Sequence, residues 1–208
     1  MASALGDVRV IDLATVIAGP GAARHLADFG AEVIKVESPR GDPCRHLGWS
    51  PGPTDPDSYY WKLVNRGKEL ETVDLKTPAG RDRLLELVAG ADVVVENMRP
   101  GKLEALGLGP DVLLERNPRL VVLRMTAFGQ DGPAAGRAGF ATLAEAMSGW
   151  AAISGDPDGK PLLPPVALTD EVAALAGAFA VMVGLWHARA TGEGQVIDVN
   201  LLETMVQM

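Results

Sequence analysis

Short β-branched runs alternate with longer stretches in which apolar residues recur at helical spacing. "VRVIDLA" (Val8–Ala14) predicts a buried strand. "GPGAARHLADFGA" predicts a helix opened by a Gly-Pro turn and stopped at Gly30. "EVIKVE" (Glu32–Glu37) predicts the next strand. Strand, helix and strand within about thirty residues form the unit of a parallel sheet with a right-handed crossover.

The alternation continues. "ETVDLK" (Glu71–Lys76) predicts a third strand, and "TPAGRDRLLELVAGA" a helix with Thr77 as N-cap and Pro78 in its first turn. "DVVVEN" (Asp92–Asn97) and "LVVLRMTAF" (Leu120–Phe128) predict two more strands, with one or two short helices in "KLEALGLGPDVLLERNP" between them. Ser38–Ser58 is rich in Pro, Gly and Asp and predicts a long surface excursion, a feature that is often functional. After Gly139 the texture changes. "FATLAEAMSGWAAISG" predicts one helix, "DPDGKPLLPPVALTD" an extended connector, then a long Ala-rich helix. "GQVIDVNL" predicts a further strand and "LLETMVQM" the start of another helix. The fold class is therefore α/β, an open, mostly parallel, Rossmann-like sheet with flanking helices. Residues 1–139 form its main body, and residues 140–208 carry the connector, the long helix and the last strand.

Composition narrows the picture. The chain has 208 residues, 47% hydrophobic but only 5% aromatic, so Ala, Val and Leu must build the core. Net charge is 19 − 27 = −8, which argues against general affinity for nucleic acid or anionic membrane but leaves room for a local basic pocket. Cys44 is the single cysteine, so no internal disulfide or cysteine metal site forms. The opening "MASALGDVRVIDL" lacks a signal pattern. The longest apolar run, Val172–Trp186, falls short of a membrane span of roughly twenty residues. The expected location is the cytoplasm, with neither nucleic acid nor membrane as partner.

In an open α/β sheet, ligands collect at the carboxyl ends of the strands. Those ends are Ala14–Gly21, Glu37–Asp42, Glu96–Gly101 and Thr126–Pro133, rich in Gly and Pro, with Arg40 and Arg99 among them. This pattern is first of all ordinary loop punctuation, and it also fits a nucleotide cradle with cationic phosphate contacts. No P-loop, dinucleotide fingerprint, nucleophile elbow or HExxH motif is present. His25, His46 and His187 lack ligand spacing, so no metal is expected. Thr169-Asp170-Glu171 opens the long apolar helix. Thr169 as N-cap and acids in the first turn satisfy the helix start and are the ordinary reading; the sharper alternative is that Asp170 is a nucleophile placed there.

The segment "VRVIDLATVIAGPGAARHLADFGAEVIKVESPRGDPCR" resembles the opening of the family III CoA-transferases. "NRGKELETVDLKTPAGRDRLLELVAGADVVVENMRPGKLEALGLG", "FGQDGPAAGRAGFATLAEAMSG" and "GQVIDVNLLET" extend the resemblance over essentially the whole chain. That family includes formyl-CoA and succinyl-CoA:carboxylate transferases and 2-methylacyl-CoA racemases. The resemblance implies an acyl-CoA:carboxylate CoA-transferase in which Asp170 attacks a donor thioester, passing through a mixed anhydride and an aspartyl-CoA thioester. Its substrates are an acyl-CoA donor and a small carboxylic acid acceptor. It places Val16, Ile17, Arg40, Val73, Lys76, Asn97, Met98, Arg99 and Leu106 against coenzyme A, with Val73, Lys76, Asn97, Met98 and Leu106 at the adenine and phosphates. Basic positions of the family fall on Ser38 and Ala105 here, with Arg40, Arg99 and Lys102 nearby as substitutes, and a common acidic position falls on Ala141. The racemase branch's His-Asp pair has no counterpart in "GFATLAEAMSG". Family members run to roughly twice this length and form interlocked dimers. The resemblance therefore implies a homodimer, or a heteromer with a chain supplying the other half. A non-catalytic CoA-binding or assembly role, with Asp170 only a cap, is the alternative reading.

Overall fold

A computed structural model describes residues 3–208. The strands are β1 (Arg9–Asp12), β2 (Glu32–Glu37), β3 (Lys68–Thr72), β4 (Val93–Glu96), β5 (Val121–Thr126) and β6 (Gln195–Asn200). They form one sheet in the order β3-β2-β1-β4-β5-β6, each pairing parallel. This is the doubly wound order, in which the chain reverses its direction of travel across the sheet between β1 and β4. Val93, Val94 and Val95 are fully buried, as expected for a central parallel strand covered on both faces.

The helices are α1 (Ala18–Asp28), α2 (Tyr59–Val64), α3 (Pro78–Ala89), α4 (Lys102–Ala105), α5 (Pro110–Arg116), α6 (Ala141–Met147), α7 (Trp150–Ile153), α8 (Leu168–Thr191) and α9 (Leu201–Val206). Strand alternation sorts the core into two layers. Val10, Val33, Val121 and Leu123 pack with α1 and α8 on one face. Ile11, Ile34, Val94 and Val122 pack with Leu84, Leu103 and Leu113 on the other. β6 extends the sheet beside β5 over six paired residues, so the segment after residue 139 shares the same core. α8 is 24 residues long and, by length and composition alone, apolar enough to cross a membrane. Its Ala173, Ala174, Gly177, Val181, Leu185 and Ala188 are buried, and it packs against α1, β5 and β6.

Two expected elements change their bounds, and the excursion leads at Ser58 into a further helix. β3 runs from Lys68 to Thr72 rather than from Glu71 to Lys76: pairing with β2 begins at Lys68, and Asp74 accepts the Lys76 N–H and the Thr77 hydroxyl and so makes a turn of the expected strand end. The single helix expected from Phe140 to Gly155 breaks into α6 and α7 at Gly149, whose φ of +88° lies in the left-handed region. The excursion ends in a helix, α2, capped by Ser58 Oγ, which accepts the Trp61 N–H. Other local readings hold. Thr77 caps α3 by accepting the Gly80 N–H, and Gly30 follows α1 at φ +98°.

α1 lies close to the end of β1. A Cβ added at Gly19 would sit 2.3 Å from the Ala14 Cβ, an atom too short to swing away. Gly19→Ala should therefore push α1 off the strand end and destabilise the protein by about 1–3 kcal/mol, read as a lowered urea midpoint.

Candidate active site

Two cavities open at the carboxyl edge of the sheet, on either side of the loop from β1 to α1. The first, about 570 Å³, is lined by Val36, Val73, Leu75, Met98 and Leu106, with Lys76, Arg99 and Lys102 supplying positive charge. The second, about 810 Å³, is lined by Val16, Ile17, Asn97, Thr126, Glu145, Ala167 and Asp170. Thr15 and Arg99 belong to both walls. An apolar slot with a cationic rim suits a flat, phosphorylated group. A polar chamber holding carboxylates suits chemistry.

The residues expected at the ligand divide between these spaces. Val73, Lys76, Met98 and Leu106 line the first cavity and Val16, Ile17, Asn97 and Asp170 the second, with Arg99 between them. Asn97 does not stand with the first group. Its side-chain amide is committed to the Thr15 backbone, accepting the Thr15 N–H at 2.8 Å and donating to the Thr15 carbonyl at 2.7 Å. Arg40 is exposed and lines neither cavity, although Ser38 and Gly41 beside it line the first.

α8 starts two residues earlier than a Thr169 cap requires. Ala167 holds the N-cap position without a side-chain bond, and Thr169 is fully buried in the first turn. Its hydroxyl donates to Glu145 Oε1 at 2.9 Å, because a carboxylate buried to 4% exposure needs a donor more than a solvated helix end does. α1 likewise begins without a side-chain cap, at Ile17. Two helices thus start at the wall of one chamber without a side-chain cap.

Asp170 follows Thr169 into that chamber. Burial, then the neighbouring charges of Glu145 and Glu171, push its carboxyl up to about 6. Glu171 is partly neutralised by Arg24 at 3.1 Å. Tyr60 of α2 is also raised, by burial and then by Glu171 and Asp170. A carboxylate that holds its proton more tightly is a stronger nucleophile once ionised, and near pH 7 most of it is ionised.

Sequence reading missed Glu145, which sits unremarked in "LAEAM". It also missed the buried ion network of Asp12, Lys35, Asp42 and Lys68, all with fully buried side chains. The signal was present: a lysine and an aspartate inside the apolar runs "EVIKVE" and "VRVIDLA".

A family model described as CoA-transferase family III matches residues 5–208. The chain is 42% identical over 205 residues to the succinyl-CoA–D-citramalate CoA-transferase of Chloroflexus aurantiacus, covering 98% of this chain and 50% of that protein. It is 45% identical over 204 residues to the succinyl-CoA–L-malate CoA-transferase beta subunit of the same organism, covering 97% and 50%. A crystal structure of a CAIB/BAIF family protein from Brucella suis superposes with a TM-score of 0.95 at 37% identity, covering 100% of this chain and 56% of that one. The chain spans about half the length of the curated relatives it matches.

Asp170 binds its proton more tightly in the folded protein, at about 6, than at its ordinary 3.8. Ionising it therefore opposes folding, and stability falls as pH rises through the window from about 4 to about 6. Urea unfolding at pH 4, 5, 6 and 7 should show a steeper fall in the wild type than in Asp170→Asn, where Glu96 and Asp198, also raised by burial, still contribute. The two should diverge by an amount on the order of 3 kcal/mol.

Proposed function

From the premise that the chain belongs to CoA-transferase family III, we propose that it carries the reacting half of an acyl-CoA:carboxylate CoA-transferase, with Asp170 as the covalent nucleophile. The observation that carries this reading is a more basic, ionisable Asp170 in a chamber that adjoins, across Thr15 and Arg99, a cavity suited to the nucleotide end of coenzyme A. Coenzyme A is substrate here, and no metal has a part in the scheme.

An Asp170 oxygen attacks the donor's thioester carbonyl. The C–S bond breaks, CoA leaves as the thiolate, and a mixed anhydride remains. The thiolate then attacks the aspartyl carbonyl, expelling the donor acid and leaving an aspartyl-CoA thioester. The acceptor carboxylate attacks that carbonyl and releases the thiolate again. Attack of the thiolate on the acceptor's acyl carbon yields the new acyl-CoA and frees Asp170. Each activated intermediate conserves the thioester's free energy, so no ATP is needed. The uncapped starts of α1 and α8 supply N–H groups for the oxyanions that develop at each attack.

The names of the two Chloroflexus relatives support succinyl-CoA as donor and a small hydroxydicarboxylic acid as acceptor. Arg99, on the wall shared by both cavities, is the cation placed to meet either a CoA phosphate or the acceptor's second carboxylate. The working assembly contains more chain than these residues, as a homodimer or a heteromer. The relatives' length supports this, and so does the uncovered stripe of Leu175, Phe179, Val183 and Trp186 along α8, where Trp186 is 78% exposed.

The purified protein, with any chain that copurifies, should form an acyl or CoA adduct on the peptide holding Asp170 when incubated with succinyl-CoA and acid-quenched. Asp170→Asn should form none. CoA binding without an adduct from any of several acyl-CoA donors would instead leave a non-catalytic CoA-binding half. In a calorimetric titration, Lys76→Ala should weaken CoA binding on the order of tenfold, while pantetheine binding stays unchanged.

A further inference from the structure

The loop between the two cavities contains a backbone outlier. Val16 has φ +69°, the one non-glycine in the left-handed region among the described residues. For a β-branched side chain that conformation is strained. Packing does not impose it, since Val16 is 39% exposed. Polar groups do. The Val16 N–H donates to both carboxylate oxygens of Asp42, at 3.1 and 3.2 Å. Thr15 is held on both its backbone groups by Asn97. The Ala14 N–H donates to Asp12 Oδ1 at 3.0 Å, and the Ala14 carbonyl accepts from Lys35 Nζ.

Asp42 is the centre of this arrangement. It is 2% exposed, accepts the Cys44 N–H at 2.9 Å, and pairs with the Lys35 ammonium at 3.2 Å. A residue at the root of the surface excursion thus grips the loop that follows β1. The chain turns into α1 at Ile17, directly after Val16, so the left-handed residue sets where the first N–H groups of α1 point.

We propose that Asp42, paired with the buried Lys35, is a positioning residue that holds Val16 in its left-handed conformation and so aims the start of α1 into the chamber of Asp170. This rests on the reading that Asp170 reacts with a thioester in that chamber. The strain at Val16 is the cost of a ridge that separates the nucleotide cavity from the reacting carboxylate while lining both.

The test is a double-mutant cycle on the rate of adduct formation with succinyl-CoA, together with hydrogen exchange of the peptide spanning residues 13–21. Misplacing a reacting geometry by about an ångström can cost a hundredfold in rate. Asp42→Asn should therefore slow the adduct about a hundredfold when residue 16 is Val, and strip exchange protection from the peptide. In the Val16→Gly background, where a left-handed residue carries no strain, the same change should cost less than about tenfold. Equal cost in both backgrounds would mean that Asp42 acts only through general stability, and the proposal fails. Unchanged protection in folded Asp42→Asn overturns it as well. Should Asp42→Asn not fold, Val16→Pro takes its place, since the ring forbids positive φ and removes the N–H while leaving Asp42 and Lys35 paired. A folded Val16→Pro protein with the wild-type rate overturns the proposal. If the wild type forms no adduct with any donor, the reading of Asp170 fails, and hydrogen exchange alone decides whether Asp42 holds the loop.

Discussion

The ion network of Asp12, Lys35, Asp42 and Lys68 ties together β1, β2, β3 and the excursion that follows β2, with all four side chains shielded from water. Two carboxylates and two ammoniums sum to zero, which makes the burial tolerable. Removing any one member would leave an uncompensated buried charge, a loss of about 3–5 kcal/mol in comparable cases. The network also reaches the backbone. Lys68 donates to the Pro20 carbonyl in α1 at 2.8 Å, and Lys35 to the Ala14 carbonyl. Burial lowers the Lys68 ammonium from its ordinary range even against the attraction of Asp12. The cluster thus joins the end of β1, the start of α1 and the root of the excursion into one rigid body, and both cavities are cut into its edges.

The two cavities differ in the charges on their walls. The first is lined by Lys76, Arg99 and Lys102 beside Glu37, Asp42 and Asp74. The second holds Asp170 and Glu145, with Arg99 on the shared wall. There burial, and then the neighbouring carboxylates, raise the basicity of Asp170. Glu145 meets this crowding by accepting from Thr169, which leaves Asp170 as the carboxylate without a protein donor in the first turn of α8. Small residues bring the two starting helices close. A Cβ added at Gly21 of α1 would sit 3.0 Å from the Ala174 Cβ of α8, so a larger residue there would require the two helices to move apart by a few tenths of an ångström.

The excursion is built as a structural part of the site. Arg45 lies 3.8 Å over the Trp61 ring, and both side chains bond Glu37 at the end of β2. Arg45 also bridges to Asp57 at 2.7 Å. The segment rich in Pro, Gly and Asp is therefore pinned at its root, its middle and its return, with Leu47 from its middle reaching the wall of the second chamber.

By itself the sequence determined the α/β class, the parallel strands, the capping of α3 by Thr77 and the candidacy of Asp170. The first three follow from local patterns: β-branched runs record burial on both faces of a sheet, and a cap needs only residues three apart; the candidacy of Asp170 followed from the resemblance of the whole ordered series of motifs. The tertiary structure decided what depends on distant residues meeting. Edge strand β3 has a single neighbour and a polar pattern, so its bounds came from that neighbour and from the Asp74 turn. Thr169 left its expected cap for a carboxylate 24 positions away. Asn97 turned to the Thr15 backbone, 82 positions away, instead of toward the first cavity. The raised affinity of Asp170 for its proton arises first from burial and then from Glu145, neither of which is encoded in the helix that carries it, with Glu171 of the same helix adding to them. Hydrophobic period is a property of neighbours along the chain, whereas the electrostatics of a site belong to neighbours in space.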